Sequence, residues 1–416
     1  MKENKPNYLV PFVLVTCLFF MWGFANNLNG ILIPHLRKAL QLSNMQSTFV
    51  DTAVYLAYFL GAIPAGLVLK KFGYKKGIIL GLLVFSLGAF LFVPAANSRT
   101  YGIFLLGLFI IGIGLTILET AANPYATKLG DAKDATTRLN LAQSFNGLAA
   151  FLAPMVGTIF ILSGKEYSSE ELNLLPEVEK IAYLTSEAAS VKMPYMILGG
   201  FLLVIAVLFM VLKFPEFKIE ESGKEEGSIS GALKRKHLVW AIIAQFFYVG
   251  AQVCVTSFFV RMAISGGGVD EKTAGFYLSI VYGLLFMSGR FVGTFLMRYI
   301  TPSKLLSIYA TICIILSLVA IYADGKNVVI ALGGLGFFMS IMFPTIFSLG
   351  IEDMLENTKP ASSLIVMAII GGAIFPVIMG YIIDNSNDNI QVGYWVPLVC
   401  FIVVLYYGLV GHKKAA

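Results

Sequence analysis

The chain has 416 residues, of which 57% are hydrophobic and only 13% charged, with 40 glycines and a mean hydropathy of +0.80. That balance excludes an ordinary water-soluble domain, because the polar side chains are too few to cover its surface. The formal net charge of +6 does not point to nucleic acid, since the basic residues are scattered through short segments between apolar runs.

One membrane crossing needs about 20 mostly apolar residues. The sequence supplies twelve such runs, at about 9–34, 47–70, 76–96, 101–127, 138–163, 193–213, 238–263, 273–297, 304–323, 327–350, 361–383 and 393–411. The first run is long and has no small-residue cleavage site after a short apolar core, so it reads as a membrane helix and not a signal peptide. With the N-terminus placed in the cytoplasm, the inside segments hold twenty of the 30 Lys and Arg residues and the outside segments nine, with Arg290 left inside a span. That asymmetry follows the positive-inside rule and puts both termini in the cytoplasm.

Polar residues inside these runs mark candidate sites, because lipid offers them no partner. In the first run, FANNLNG carries Asn26, Asn27 and Asn29. Asn26 and Asn29 share a helical face, Asn27 is turned about 100° away, and at least one of the three is expected to reach a cavity. Asp51 stands about five residues into the second run, toward the outside. It reads either as a proton-coupling acid or as an interfacial carboxylate. Glu119, in GLTILETAANPYATKLGD, is the most informative residue of the chain. A carboxylate at that depth costs roughly 2.5–3.5 kcal/mol on insertion scales, so it must face protein or a water-filled cavity, as a substrate or proton site. In the fifth run, Asn140, Gln143 and Asn146 are three apart and line one face. They read as glue between helices or, for Gln143 and Asn146, as a face for sugar hydroxyls, since amides both donate and accept. The seventh run offers Gln245, Tyr248 and Gln252 on roughly one face. Arg290 in the eighth is expected to be structural, paired with backbone or an acid.

Cys17, Cys254, Cys313 and Cys400 all fall within spans and lack metal spacing, so they read as small core residues and no metal is expected. His35, His237 and His412 fall at span ends or in the tail, where a solvated or interfacial role is expected. No nucleophile–base constellation, metal cluster or phosphate-cradling loop supports an enzyme, and no cofactor is implied.

The chain reads as duplicated. Residues 214–236, FPEFKIEESGKEEGSISGALKRK, are charged and lack apolar periodicity, as a cytoplasmic linker should. They divide the spans into six-helix halves, 1–213 and 237–416. Phe19, Phe20 and Gly23 match Phe246, Phe247 and Gly250 at an offset of 227, as Gly66 matches Gly293. Pro124 and Gly130 match Pro344 and Gly350 at an offset of 220. Parallel six-helix repeats carry substrate at their interface near the membrane midplane.

The stretches ANNLNGILIPHL, PAGLVLKKFGYKKGI, LETAANPYATKLG, RLNLAQSFNG, AQFFYVGAQ, GRFVGTFL, FPTIFSLGIED and IIGGAIFPVIMG resemble the L-fucose–proton symporter group of sugar permeases. This is the fucose–galactose–glucose branch of the major facilitator superfamily, and the resemblance covers nearly all of residues 9–411. It implies an all-α membrane protein with twelve transmembrane helices in two pseudo-symmetric six-helix bundles. It further implies a monosaccharide importer of the bacterial inner membrane, working by alternating access with a proton. On this resemblance Glu119 takes part in sugar binding and proton coupling, Gln143 and Asn146 match sugar-binding amides, and Asn27 matches the second asparagine of ANNLN. Two places depart from the branch. Gly30 stands where it has an aspartate thought to take the coupling proton, and Phe343 where it has a tyrosine. Asp51 is the candidate to take over the role lost at Gly30. Fucose, galactose, glucose and N-acetylglucosamine are not separated by these residues, and sodium stands as the alternative to the proton. An exporter or antiporter of the same fold is the competing function, but the amide clusters favour a hydroxyl-rich ligand. Nothing in the sequence requires more than a monomer.

Overall fold

The computed structural model describes residues 8–131, 135–162, 167, 169–212, 214–215, 228–354 and 357–413. The middle of the expected linker, 216–227, lies outside these, as does the side chain of Asn140. All regular structure among the described residues is helical. In the first part of the chain the helices are α1 (Leu9–Ala39), α2 (Asn44–Ser47), α3 (Phe49–Phe90), α4 (Phe92–Ser98), α5 (Tyr101–Lys128), α6 (Ala135–Phe160), α7 (Ser169–Leu174), α8 (Glu177–Ser190) and α9 (Lys192–Val211). Then come α10 (Ile229–Leu233), α11 (Lys236–Ser265), α12 (Glu271–Tyr277), α13 (Leu284–Leu296), α14 (Pro302–Tyr322), α15 (Lys326–Met339), α16 (Met342–Ile351), α17 (Thr358–Met367), α18 (Gly371–Asp384), α19 (Ile390–Gly393) and α20 (Trp395–Tyr406). Residues Leu278–Gly283 join α12 to α13 as a π-helical turn.

Ten helical stretches among the described residues are long and apolar enough to cross a membrane. One of them, Asn44–Ser98, has 55 residues, twice what one crossing needs. It contains two spans, because the chain breaks at Gly73 (φ 79°, ψ 174°), a conformation open essentially to glycine alone. Lys70, Lys71, Lys75 and Lys76 flank this break, and Lys75 donates to the Leu212 carbonyl at 3.0 Å. The remaining span is α6, 26 residues long, whose Arg138, Gln143 and Asn146 dilute its apolar character. The twelve runs read from the sequence are all accounted for.

The chain divides into two compact units. One comprises Met1–Asn29 with Leu56–Glu220, the other Gly30–Tyr55 with Glu221–Ala416. In the first, α3 and α5 approach closely enough that a Cβ on Gly88 would sit 2.6 Å from the Gly107 carbonyl, and one on Gly114 would sit 2.8 Å from that of Gly81. Small residues permit this contact between membrane helices, where dispersion replaces the hydrophobic drive. Phe92 stacks on Tyr195 with ring centroids 3.6 Å apart and closes the far end of that core. The second unit is built around α11, whose Ala241, Ala244, Tyr248, Cys254, Phe258 and Phe259 are fully buried.

Cys254, Cys313 and Cys400 are buried and Cys17 half-buried, all four as free thiols. His237 is buried, not solvated as expected, and donates a ring N–H to the Glu352 carbonyl at 3.1 Å, while His412 meets the Tyr407 carbonyl at 3.1 Å. His35 departs from expectation. It is fully buried and not solvated, because the end of α1 that carries it is packed inside the second unit.

Candidate substrate and proton site

In the first unit Tyr58, Asn26 and Asn123 gather around Glu119. α5 carries it in mid-span, half-buried, and Tyr58 of α3 hydrogen-bonds its carboxylate. Asn26 of α1 reaches the same Tyr58 hydroxyl at 3.5 Å. Asn123, one turn beyond Glu119, donates to the Glu119 carbonyl at 3.0 Å, which pins the backbone there. The hydroxyl of Tyr58 thus joins an amide on one helix to a carboxylate on another. Tyr58 was not singled out in the sequence. The available signal was its place seven residues after Asp51, with Tyr55 between, on one helical face.

The α6 amides behave differently from one another. Gln143 is exposed and Asn146 half-buried. Asn146 donates to the Phe19 carbonyl of α1 at 3.4 Å, and a Cβ on Gly23 would lie 2.9 Å from its amide. Asn27 turns back on its own helix and donates to the Gly23 carbonyl at 2.7 Å. Its direction away from Asn26 is the one the 100° step dictates. Trp22 has its indole N–H buried without a partner among the described residues. A cavity of about 1010 Å³ in this unit is lined by Phe12, Phe20, Leu141, Phe145, Leu152 and Phe201, among others. It is apolar throughout and touches none of the candidate residues, so it does not suit a sugar.

In the second unit, Gln245 is fully buried, and neither amide atom finds a hydrogen-bond partner among the described residues. Tyr248 is also fully buried and donates to the Met339 carbonyl at 2.9 Å. The Phe343 ring lies 6.5 Å from that of Tyr248, and Gln252 is half-buried one turn along α11. Arg290 donates to the Ser340 carbonyl at 3.4 Å and lies over the Phe286 ring, the backbone pairing expected of it.

Asp51 belongs to the second unit. It is 3% exposed and accepts a short hydrogen bond from the Ser257 hydroxyl of α11. It is not a solvated interfacial acid. Gly30 abuts the same turn of α11, since a Cβ there would lie 3.6 Å from the Thr256 carbonyl. It would also lie 2.6 Å from Leu278, so any larger side chain must displace that leucine. Arg261, counted by charge among the outer-segment cations, lies inside α11 and is 7% exposed. No group of three or more His, Cys, Asp or Glu side chains that could hold a metal occurs among the described residues.

The Major Facilitator Superfamily model matches residues 14–368. The L-fucose-proton symporter of Escherichia coli K12 is 43% identical over 96% of this chain and 93% of its own length. The glucose/galactose transporter of Brucella abortus biovar 1 is 38% identical over 99% and 96% respectively. A crystal structure of the superfamily transporter FucP in an outward conformation superposes with a TM-score of 0.70 at 42% identity, covering 98% of this chain and all of that one. The chain is therefore a multi-pass membrane protein of the transporter class and not an enzyme, and it belongs to the Major Facilitator Superfamily, in the group that holds these sugar transporters.

Proposed function

We propose that this chain imports a monosaccharide together with a proton, by alternating access in the bacterial inner membrane. The observation that carries the reading is the Glu119–Tyr58–Asn26 chain, a carboxylate held in mid-span beside amides that suit hydroxyl groups. The names of the relatives, an L-fucose-proton symporter and a glucose/galactose transporter, support both the sugar and the coupling ion. Glu119 carries the proton and contacts the sugar. Asn26, Asn27, Gln143 and Asn146 supply polar contacts from the first half. Gln245, Tyr248, Gln252 and Phe343 supply them from the second, the phenyl ring of Phe343 serving as an apolar platform. Residues 1–213 and 237–416 act as the two rocking bundles, both termini are cytoplasmic, and a monomer suffices.

The test is uptake of labelled fucose, galactose, glucose and N-acetylglucosamine into proteoliposomes under an imposed proton or sodium gradient. Accumulation of at least one sugar under an inward proton gradient, abolished by a protonophore, is expected. Accumulation driven by sodium alone would replace the proton in this scheme.

A further inference from the structure

Charged groups gather where residues 30–55 pack in the second unit. Arg261 donates to Asn44 Oδ1 at 2.9 Å, to Ser47 Oγ at 3.1 Å and to the Ser257 carbonyl at 3.2 Å. Its guanidinium also lies over the Phe258 ring at 3.8 Å. Asp384 caps α2, accepting the backbone N–H of Asn44 at 2.7 Å and of Met45 at 2.9 Å. Asp388 accepts from the Asn44 amide at 2.7 Å and lies 3.9 Å from Arg37. Lys38 and Glu271 close on each other at 3.1 Å. Thr52 donates to the Ala373 carbonyl at 2.9 Å. These contacts fasten one segment of the chain to α11, α12 and α18.

The charges in this cluster balance without Asp51. Arg261 and Arg37 stand against Asp384 and Asp388, and Lys38 stands against Glu271. Asp384 meets backbone N–H groups at a helix start, where a carboxylate is favoured, and Asp388 is largely exposed. Asp51 is the surplus acid. Besides Arg261, the titratable groups facing it are Cys254 of α11 and Tyr55 of its own helix, both ordinarily neutral near pH 7. Arg261 spends its hydrogen bonds on neutral oxygens and gives none to Asp51. A buried carboxylate with a hydroxyl as its bonded partner is costly in the charged form.

We propose that Asp51 is a second proton site, whose neutralisation lets residues 30–55 dock in the second unit, with Ser257 as its hydroxyl partner and Arg261 as the clamp on the docked segment. The step is a single proton transfer. Hydronium in the outer water gives its proton to Asp51, leaving water and a carboxylic acid that shares a hydrogen bond with Ser257 Oγ. Undocking exposes the acid and returns the proton to water. The proposal rests on the transport reading only in supposing that the segment must leave for sugar to enter from outside.

Thr48, fully buried in the docked segment, serves as a reporter, and exposed Asn385 as its reference. In the full chain, with the four native cysteines replaced and the protein in nanodiscs, the maleimide labelling rate of Thr48→Cys is divided by that of Asn385→Cys. The ratio cancels the pH dependence of the thiol chemistry. It should fall on acidification from pH 8 to 6, by up to about tenfold per pH unit for one coupled proton. Asp51→Asn should hold the ratio low and flat, and Asp51→Glu should keep a slope with a shifted midpoint. Arg261→Lys should raise labelling at every pH and keep the slope. A flat ratio in the parent, or a slope surviving in Asp51→Asn, overturns the proposal. So does a ratio that rises on acidification, which would make ionised Asp51 the counter-ion of Arg261. Sugar uptake is measured separately in the same preparation. If no sugar moves while the labelling behaves as described, the transport reading fails and the proton site stands.

Discussion

At the scale of single residues, the proposed mechanism turns on the Glu119 side chain. Glu119→Gln keeps the shape and the bond from Tyr58 but removes the exchangeable proton. Proton-driven accumulation should vanish, while exchange of sugar across the membrane persists; accumulation at the parent level would dismiss Glu119 as the coupling group. If Gln143 and Asn146 meet the sugar as proposed, Gln143→Ala and Asn146→Ala each remove a partner of its hydroxyls, at a cost of about 1–3 kcal/mol of affinity once the site closes over it. Calorimetry on folded variants reads this directly, and parent-like binding in both would make the α6 face a helix contact only. Gln245 makes a sharper case. Its buried amide has no partner among the described residues, so Gln245→Leu should raise the unfolding temperature while weakening sugar binding, as happens where stability is traded for a site. Higher stability with unchanged binding would make it a packing residue. Glu119 was legible in the sequence because an acid within an apolar run has few harmless readings. Tyr58, Ser257 and Arg261 were not. Hydroxyls and tyrosines are common in membrane helices, and an arginine near a span end is usually counted with the adjoining loop.

At the scale of the elements, boundaries followed charge. The lysines of KKFGYKK mark the turn between the second and third spans, and the chain breaks between them at Gly73. A Cβ at Gly73 would meet nothing within 4 Å, so Gly73→Ala tests the backbone alone. Its φ of 79° with ψ of 174° makes the substitution cost about 1–3 kcal/mol, visible as a lower unfolding temperature in detergent. A parent-like value would mean that the turn relaxes at no cost. Asp270 caps α12, where the Thr273 hydroxyl and backbone N–H hold its carboxyl below the ordinary value. Such a group stabilises fully above the ordinary value, and the contribution is lost as pH falls through the lowered one. Asp270→Ala should therefore cost about 1 kcal/mol at neutral pH and nothing in strong acid. The π-turn at Leu278–Gly283 had no sequence signal, because its side chains repeat as those of any apolar helix do.

At the scale of the whole molecule, the apolar runs were enough to read an all-helical membrane protein. The allotment of Gly30–Tyr55 to the second unit was not readable, because sequence distance hides it. The residues that receive this segment lie on α11, α12 and α18, some 200 to 340 positions later. That separation has a consequence for how the protein is made. At about 5–20 residues per second, the ribosome finishes Asn44, Ser47 and Asp51 roughly 10–70 s before Arg261 and Asp384 exist to meet them. For that interval Asn44, Ser47 and Asp51 lack the partners that the folded chain gives them, and Arg261 in turn is made needing the first two. If the chain is cut within 216–227 and the later half is made alone, the half should be short-lived in the membrane. Supplying the earlier half from a second message should restore its abundance, and the order in which the two are induced should matter.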